Sequence, residues 1–115
     1  MENITLKPWG NENLLFQGNG YAVKKITLNE GKQTSLHYHE IKHETVMVFS
    51  GILHVYIDDK NNPSEILALA AGESVAISPN VIHRMSANTG QVIYFEAQTD
   101  HLDDVVRLND DNGRL

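Results

Sequence analysis

The chain has 115 residues, the size of one domain built around a single hydrophobic core. It contains no cysteine and no apolar run near the roughly 20 residues that span a bilayer, which excludes disulfides, thiolate metal sites and membrane helices. Its 15 acidic and 9 basic residues give a formal net charge of -6, which argues against binding to nucleic acid or an anionic membrane.

Short β-rich runs follow one another along the chain and are separated by turns rich in Gly, Pro, Asn and Asp. The runs are YAVKKITL (21–28), ETVMVFS (44–50), ILHVYID (52–58), EILALA (65–70), ESVAIS (73–78) and QVIYFEAQ (91–98). The turn signals lie at 29–32, 50–51, 58–63, 70–73, 78–80 and 88–90. Many short strands at this spacing predict an all-β sandwich or barrel.

The segment SLHYH (35–39) carries two histidines just before the second run. In a strand, side-chain alternation places His37 and His39 on one face, and the turn that follows brings Glu44 back beside them. His83, after a later hairpin, offers a fourth donor. Three imidazoles and one carboxylate suit a single divalent ion such as Zn, Mn, Fe, Ni or Co. The alternative is a polar barrel mouth that holds no ion.

Other polar residues are candidates for proton transfer or anion binding. On the last run, Tyr94, Glu96 and Gln98 share one face, and Glu96 is a candidate general base if that face is the barrel interior. A solvent-facing glutamate is the alternative. Arg84, next to His83, is a candidate phosphate ligand, with an ordinary surface arginine as the alternative.

The remaining histidines and the single tryptophan are weaker candidates for the site. We expect His43 and His54 at solvent or rim positions rather than as ligands. His101 lies in the tail, either as a loop residue or as part of a lid over the site. We expect Trp9 to pack at one end of the barrel rather than to form a platform for a substrate.

The spacing of glycines around the ligands is characteristic of one superfamily. The first cupin motif is matched at its fixed separations by Gly31, His37, His39, Glu44 and Gly51. The second motif is present in altered form over 72–88, where His83 follows Pro79 by four residues instead of five. Its usual glycine is absent, and Asn80 is expected to adopt the left-handed turn. The chain therefore resembles the cupins, which implies a single-domain double-stranded β-helix, or jelly-roll barrel.

The resemblance narrows to the C-terminal cupin domain of type II mannose-6-phosphate isomerases. It is carried by KPWG (7–10), 21–39, ETVMVFSG (44–51), HRMSAN (83–88), FEAQT (95–99) and 102–114. In those enzymes the domain usually follows a guanylyltransferase domain, whereas here we expect it to stand alone. We expect one cupin domain over 1–115, with a core over about 20–99, an N-terminal arm over 1–19 and an acidic tail over 100–115.

The resemblance implies a metal-dependent interconversion of an aldose phosphate and a ketose phosphate, with one divalent ion per chain. The metal would polarise a sugar oxygen, a base would move a proton between C1 and C2, and basic side chains would hold the phosphate. We assign the proton to Glu96 and the phosphate to Arg84 with Lys42 or Arg107. Arg107 matches an arginine of the family's tail, and Lys42 stands where the family usually has Arg.

Two other function classes stay open at this point. His37, where the family usually has Gln, restores the general cupin ligand set, which also serves iron-dependent dioxygenases; the identity of the metal separates that chemistry from isomerisation. Thr45 and Val46 replace a usual His-Trp pair, which favours a non-catalytic sugar-binding or regulatory cupin.

Residues 1–10 lack the apolar core of a signal peptide, so we expect a cytoplasmic protein. We also expect a homodimer paired through its sheet edges.

Overall fold

The computed structural model describes residues 3–58 and 65–111, and the regular structure in these ranges is entirely β. The strands are β1 (Ile4–Lys7), β2 (Gly10–Gly18), β3 (Tyr21–Leu28), β4 (Leu36–Tyr38), β5 (Glu44–Ser50), β6 (Leu53–Ile57), β7 (Glu65–Leu69), β8 (Ser74–Ile77), β9 (His83–Ser86), β10 (Val92–Thr99) and β11 (Val106–Asn109). No helix in these ranges is long and apolar enough to cross a membrane.

The strands form two antiparallel sheets that face each other. The six-stranded sheet has the order β1-β2-β3-β10-β5-β8, and the five-stranded sheet has the order β11-β4-β9-β6-β7. Strands distant in sequence are therefore neighbours in each sheet, as in a jelly roll. The predicted all-β, single-domain jelly-roll barrel is confirmed.

Each of the six predicted runs coincides with a strand to within one residue at either end. Sequence analysis did not assign strands to the arm or the tail, yet β1 and β2 pair onto β3, and β11 pairs onto β4. Both segments thus extend the sheets. Part of the predicted turn, residues 59–63, lies outside the described residues, as does Arg114 of the tail motif.

Alternation along the strands separates a buried interior from an exposed outer face. On β5, Glu44, Val46 and Val48 are buried while the residues between them are exposed. The apolar interior consists of Trp9, Ile26, Leu28, Val46, Val48, Leu53, Val55, Leu69, Ile77, Met85, Ala87, Val92 and Tyr94. Trp9 is 5% exposed and packs within this core, and it also lines the cavity that lies beside His37 and His39.

Two turn residues of the motifs have backbone conformations that explain their identity. Gly51 has a φ of 83°, and a Cβ added there would lie 2.5 Å from the carbonyl oxygen of Gln91. Asn80 has a φ of 66°, which confirms the predicted left-handed turn. Its N–H donates to the carbonyl oxygen of His39 at 2.6 Å, so the turn of the second motif is joined to a histidine of the first.

Candidate metal centre

Three histidines from two neighbouring strands meet at one end of the barrel. His37 lies on β4, directly opposite His83 of β9, and His39 follows the end of β4. One ring nitrogen from each residue lies within 4.8 Å of the other two. The structure thus brings together the three imidazoles that sequence spacing selected.

Hydrogen bonds to backbone carbonyl groups orient all three rings. In each ring Nδ1 is the bonded nitrogen, and because a carbonyl oxygen only accepts, Nδ1 must carry the proton. The bonds run from His37 to Ser35, from His39 to Asp104 and from His83 to Val81, at 2.8, 2.5 and 2.8 Å. In the neutral form of each ring this leaves the lone pair on Nε2, the form that ligates a metal.

Glu44 places a carboxylate against these rings from the start of β5. Its Oε1 lies 3.2 Å from Nε2 of His83 and 3.8 Å from Nε2 of His39. Its Oε2 lies 3.7 Å from Nζ of Lys42, which donates to Oε1 of Gln98 at 2.8 Å. Burial raises the pKa of Glu44, but the two imidazoles and the Lys42 ammonium outweigh burial and hold that pKa well below its usual range.

The residues present fit a divalent cation. Among the described residues, Nε2 of His39 and Nε2 of His83 are buried and have no hydrogen-bond partner. A buried polar atom left in this state costs about 1–3 kcal/mol. Burial and the neighbouring His83 lower the pKa of His37 to about 3, so this ring is neutral near pH 7. Three imidazole nitrogens and a carboxylate match the preferences of Zn, Mn, Fe, Ni or Co.

A cavity of about 240 Å³ opens beside the histidines and connects them to most of the other predicted site residues. Its walls include the predicted ligands His37, His39 and Glu44 and the predicted catalytic or phosphate-binding residues Lys42, Glu96 and Arg107. His83 is fully buried.

Arg84 lies away from this cavity. Adjacent residues of a strand point to opposite faces, so the inward position of His83 on β9 turns Arg84 outward. Its Nε donates to the carbonyl oxygen of Thr34 at 3.1 Å, and its Nη2 lies 3.8 Å from Oδ1 of Asp111. The structure therefore does not bring Arg84 to the residues predicted to bind phosphate with it. Arg84 follows the candidate ligand His83 in sequence, but strand alternation places the two side chains on opposite faces of β9.

Glu96 faces the cavity from β10, which is the inward position, one of the two that the sequence left open. Burial, and then the negative charge of Glu44, raise the pKa of Glu96 to about 8. Gln98, on the same face, lies 3.5 Å from Glu96 through its amide nitrogen. A carboxyl group with such a pKa can accept and release a proton near neutral pH.

Strands β2 and β3 contribute charged residues that were not predicted from the sequence. Lys24 of β3 and Glu12 of β2 line the cavity and form an ion pair at 3.0 Å. Alternation with the buried Ala22 and Ile26 is a signal that would have predicted the inward direction of Lys24. Glu12 carries no comparable signal, since its place depends on how β2 pairs with β3.

The tail forms another wall of the cavity. Arg107 lies opposite His37 in the pairing of β11 with β4, and its Nε is buried with no hydrogen-bond partner in the described part of the chain. Leu102, Asp103 and Val105 also line the cavity. Asp104 turns its carboxylate to the turn after β4, where hydrogen bonds from backbone N–H groups outweigh burial and lower its pKa to about 2.

The other histidines stay outside the cluster. His43 is exposed and His54 is half-buried, and neither belongs to the group of possible ligands found in the described ranges. This agrees with their expected positions. His101 is exposed at the start of the tail segment, one residue before Leu102 of the cavity wall.

Comparison with known proteins adds to this geometry. The model of the family described as "Mannose-6-phosphate isomerase C-terminal" matches residues 1–110. A mannose-1-phosphate guanylyltransferase of Sinorhizobium fredii is 28% identical over 112 residues, which are 93% of this chain and 21% of that protein. The alginate biosynthesis protein AlgA of Pseudomonas aeruginosa is 33% identical over 113 residues, which are 94% of this chain and 22% of that protein.

Among solved structures, an RmlC-like cupin from Shewanella frigidimarina matches with a TM-score of 0.75 and 22% identity. The match covers 87% of this chain and 85% of that cupin, which confirms the cupin fold. The chain spans about a fifth of the length of the two curated relatives, at 21% and 22%.

Proposed function

We propose that this chain, which belongs to the family of mannose-6-phosphate isomerase C-terminal domains, holds one divalent metal ion and interconverts an aldose phosphate and a ketose phosphate. One observation carries the proposal. Unpartnered histidine nitrogens and the Glu44 carboxylate converge at a cavity that also presents a carboxyl group with a raised pKa and a cationic side chain. The name of the family supports sugar-phosphate chemistry.

His37, His39, His83 and Glu44 would hold the ion. When bound, a divalent ion supplies polarisation of a carbonyl or enediolate oxygen. Lys42 sits behind this set, where its ammonium lies 3.7 Å from Glu44 and donates to Gln98. It therefore keeps the Glu44 carboxylate charged and oriented, and its own hydrogen bond leaves it less suited to bind substrate than its sequence position suggested.

Glu96 moves the proton in the proposed reaction. Its carboxylate takes the proton from the carbon beside the sugar carbonyl, and the resulting acid returns it to the former carbonyl carbon, so Glu96 is regenerated; the hydroxyl proton of the first carbon passes at the same time to the former carbonyl oxygen. Burial keeps its pKa near the working pH, and this favours both halves of the transfer.

Arg107 receives the phosphate in this proposal. Its guanidinium keeps a fixed charge, and its planar fork suits a phosphate group. It lines the cavity beside its cross-strand partner His37, and its Nε has no hydrogen-bond partner among the described residues, so a donor is available to a bound anion. Lys42, which also lines the cavity, adds positive charge.

The test is an isomerase assay on protein of known metal content. We expect mannose 6-phosphate and its ketose phosphate to interconvert when the protein carries about one ion per chain, and we expect a chelator to abolish the reaction reversibly. The neutral sugars should react poorly because they lack the group that Arg107 binds. A metal-loaded protein that converts no aldose phosphate would reject the isomerase and favour a sugar-binding role. Oxygen uptake that depends on iron would favour the dioxygenase class instead.

We also propose that two copies of the chain pair through a sheet edge. Strand β1 is an edge of the six-stranded sheet, and its Ile4 and Leu6 are 47% and 83% exposed. An exposed apolar edge strand favours pairing with another strand. Light scattering after size exclusion should give twice the mass of one chain, and Leu6→Lys should shift the population toward single chains. A parent protein with the mass of one chain would contradict this.

A further inference from the structure

We infer that Asp104 is a positioning residue for the metal centre, because its carboxylate holds the turn between His39 and Glu44 while its carbonyl oxygen holds the ring of His39. The inference rests on the metal binding proposed above. Asp104 belongs to the tail and is not itself a candidate ligand.

The carboxylate of Asp104 accepts hydrogen bonds from three consecutive backbone N–H groups. The donors are the N–H groups of Glu40, Ile41 and Lys42, at 3.0, 2.7 and 2.8 Å. Successive N–H groups that converge on one anion fix the local backbone conformation. The turn they fix joins His39 to Glu44, and it also carries the Lys42 ammonium that lies beside Glu44. This carboxylate thus contributes directly to the relative position of two ligands.

The carbonyl oxygen of Asp104 acts on the ring itself. It accepts the Nδ1–H of His39 at 2.5 Å, which sets the tautomer and directs Nε2 toward His83 and Glu44. Because the carboxylate ties Asp104 to the turn, it also determines where this carbonyl lies. Loss of the carboxylate would therefore release two constraints on His39 together.

His39 differs from the other two histidines in the origin of its partner. His37 and His83 bond to carbonyl groups of Ser35 and Val81, each two residues earlier in the chain. The partner of His39 lies 65 residues later. The orientation of His37 and His83 is therefore local to their strands, whereas that of His39 depends on the docking of the tail.

The tail also offers a matched control. Asp111 is anchored elsewhere, since its Oδ2 accepts from Nε2 of Gln33 at 2.6 Å and its Oδ1 lies 3.8 Å from Arg84. Asp111→Asn perturbs the docking of the same segment, but the hydrogen bond and the ion pair that anchor Asp111 involve neither the turn after β4 nor a histidine of the cluster. The pair of variants separates positioning by Asp104 from general attachment of the tail.

The experiment is a titration of metal-free protein with Co²⁺, followed by visible absorption, on the parent, Asp104→Asn and Asp111→Asn. We expect Asp104→Asn to bind Co²⁺ about 10- to 100-fold more weakly and with altered absorption bands, and Asp111→Asn to stay within about 3-fold of the parent. Parent-like binding by Asp104→Asn overturns the inference, and so does equal weakening in both variants. A parent that binds Co²⁺ without isomerase activity removes the proposed reaction but leaves the inference standing; a parent that binds no Co²⁺ overturns both.

A measurement on the parent alone covers the case in which Asp104→Asn fails to fold. If tail docking favours metal binding, metal binding must favour tail docking by the same factor. Amide hydrogen exchange at Glu40, Ile41 and Lys42 should therefore slow by about 10-fold or more when Co²⁺ is bound. Equal exchange rates with and without the ion would overturn the inference.

Discussion

The two ends of the barrel interior differ in what the same strands bury. In each of three strands, the inward row begins with apolar residues at one end and finishes with a charged or metal-ligating residue at the other. The rows are Val48, Val46 and Glu44 on β5; Ala87, Met85 and His83 in and just after β9; and Val92, Tyr94 and Glu96 on β10. The polar ends coincide, since Glu44 lies 3.2 Å from His83 and Glu44 pairs across the sheet with Gln98.

This difference divides stability from chemistry. Burial of the apolar end contributes free energy roughly in proportion to the area removed from water. The polar end costs free energy, because buried charges and unpaired ring nitrogens are desolvated without full compensation. The free energy gained at the apolar end thus offsets the cost of the polar end. It keeps the charged and metal-ligating side chains in fixed positions. Substitutions at the apolar end should therefore change mainly folding stability, and substitutions at the polar end should change mainly metal binding and activity.

The largest effect is expected from His39→Ala. It removes one of four donors and leaves a gap in the buried cluster, so metal content should fall from about one ion per chain to nearly none, and isomerase activity should fall with it. Plasma mass spectrometry measures the metal. His54→Ala is the matched control, since His54 is half-buried but lies outside the cluster. Retention of the parent's metal by His39→Ala would reject the site.

Glu96→Gln should lower kcat by about 10²- to 10⁴-fold while the metal content stays unchanged. The amide keeps the shape of the side chain but cannot accept the proton. Glu12→Gln is the control, because Glu12 is a second carboxylate on the same cavity wall, paired with Lys24. Steady-state assays on both variants decide the matter. Equal losses of kcat would show that charge in the cavity, and not proton transfer by Glu96, governs the rate.

Leu53→Ala tests the apolar end. Leu53 is 0% exposed in the core, so its truncation should lower the free energy of unfolding by about 2–5 kcal/mol. Metal affinity should stay close to that of the parent, provided the protein is folded. Urea unfolding and Co²⁺ titration measure the two quantities. Leu15→Ala, at a residue 50% exposed, should change stability by less than about 0.5 kcal/mol. A Leu53→Ala variant that is stable but binds no metal would contradict the division between the two ends.

Much of the polar end could be predicted from the sequence, because several of its residues lie close together in the chain. His37, His39 and Glu44 lie within eight residues, where strand alternation and one turn determine their geometry. The runs over 21–28 and 44–50 were predicted with the bounds of β3 and β5, because their alternation is strong.

The missed features depend on contacts between distant segments. Strand β9 is four residues long and begins at His83, so the segment was not predicted as a strand and alternation was not applied to Arg84. The approach of Glu12 to Lys24 depends on the pairing of β2 with β3, in which an irregularity lies between Leu14 and Phe16. Asp104 contacts His39 across 65 residues, a separation at which local propensity carries no information.

The smallest expected effect is a pH-dependent loss of folding stability caused by a buried carboxyl group at the polar end. Burial raises the pKa of Glu96 from its ordinary 4.5 to about 8 in the folded chain. Between these values the folded state binds a proton that the unfolded state has released, so the parent should lose stability as the pH rises through this window. Glu96→Gln lacks this proton. Its stability relative to the parent should therefore increase by no more than about 3–4 kcal/mol between about pH 5 and pH 8.

Urea unfolding of both proteins in the presence of a chelator, at matched pH, measures this difference. Glu12→Gln is again the control, because the carboxylate it replaces is paired with Lys24 at 3.0 Å, and loss of that ion pair should not stabilise the protein at higher pH. A relative stability of Glu96→Gln that stays flat from about pH 5 to pH 9 would show that the cavity hydrates Glu96 well enough to keep its pKa ordinary. The two ends of the barrel would then differ in composition and packing, but not in the electrostatic cost attributed to this carboxyl group.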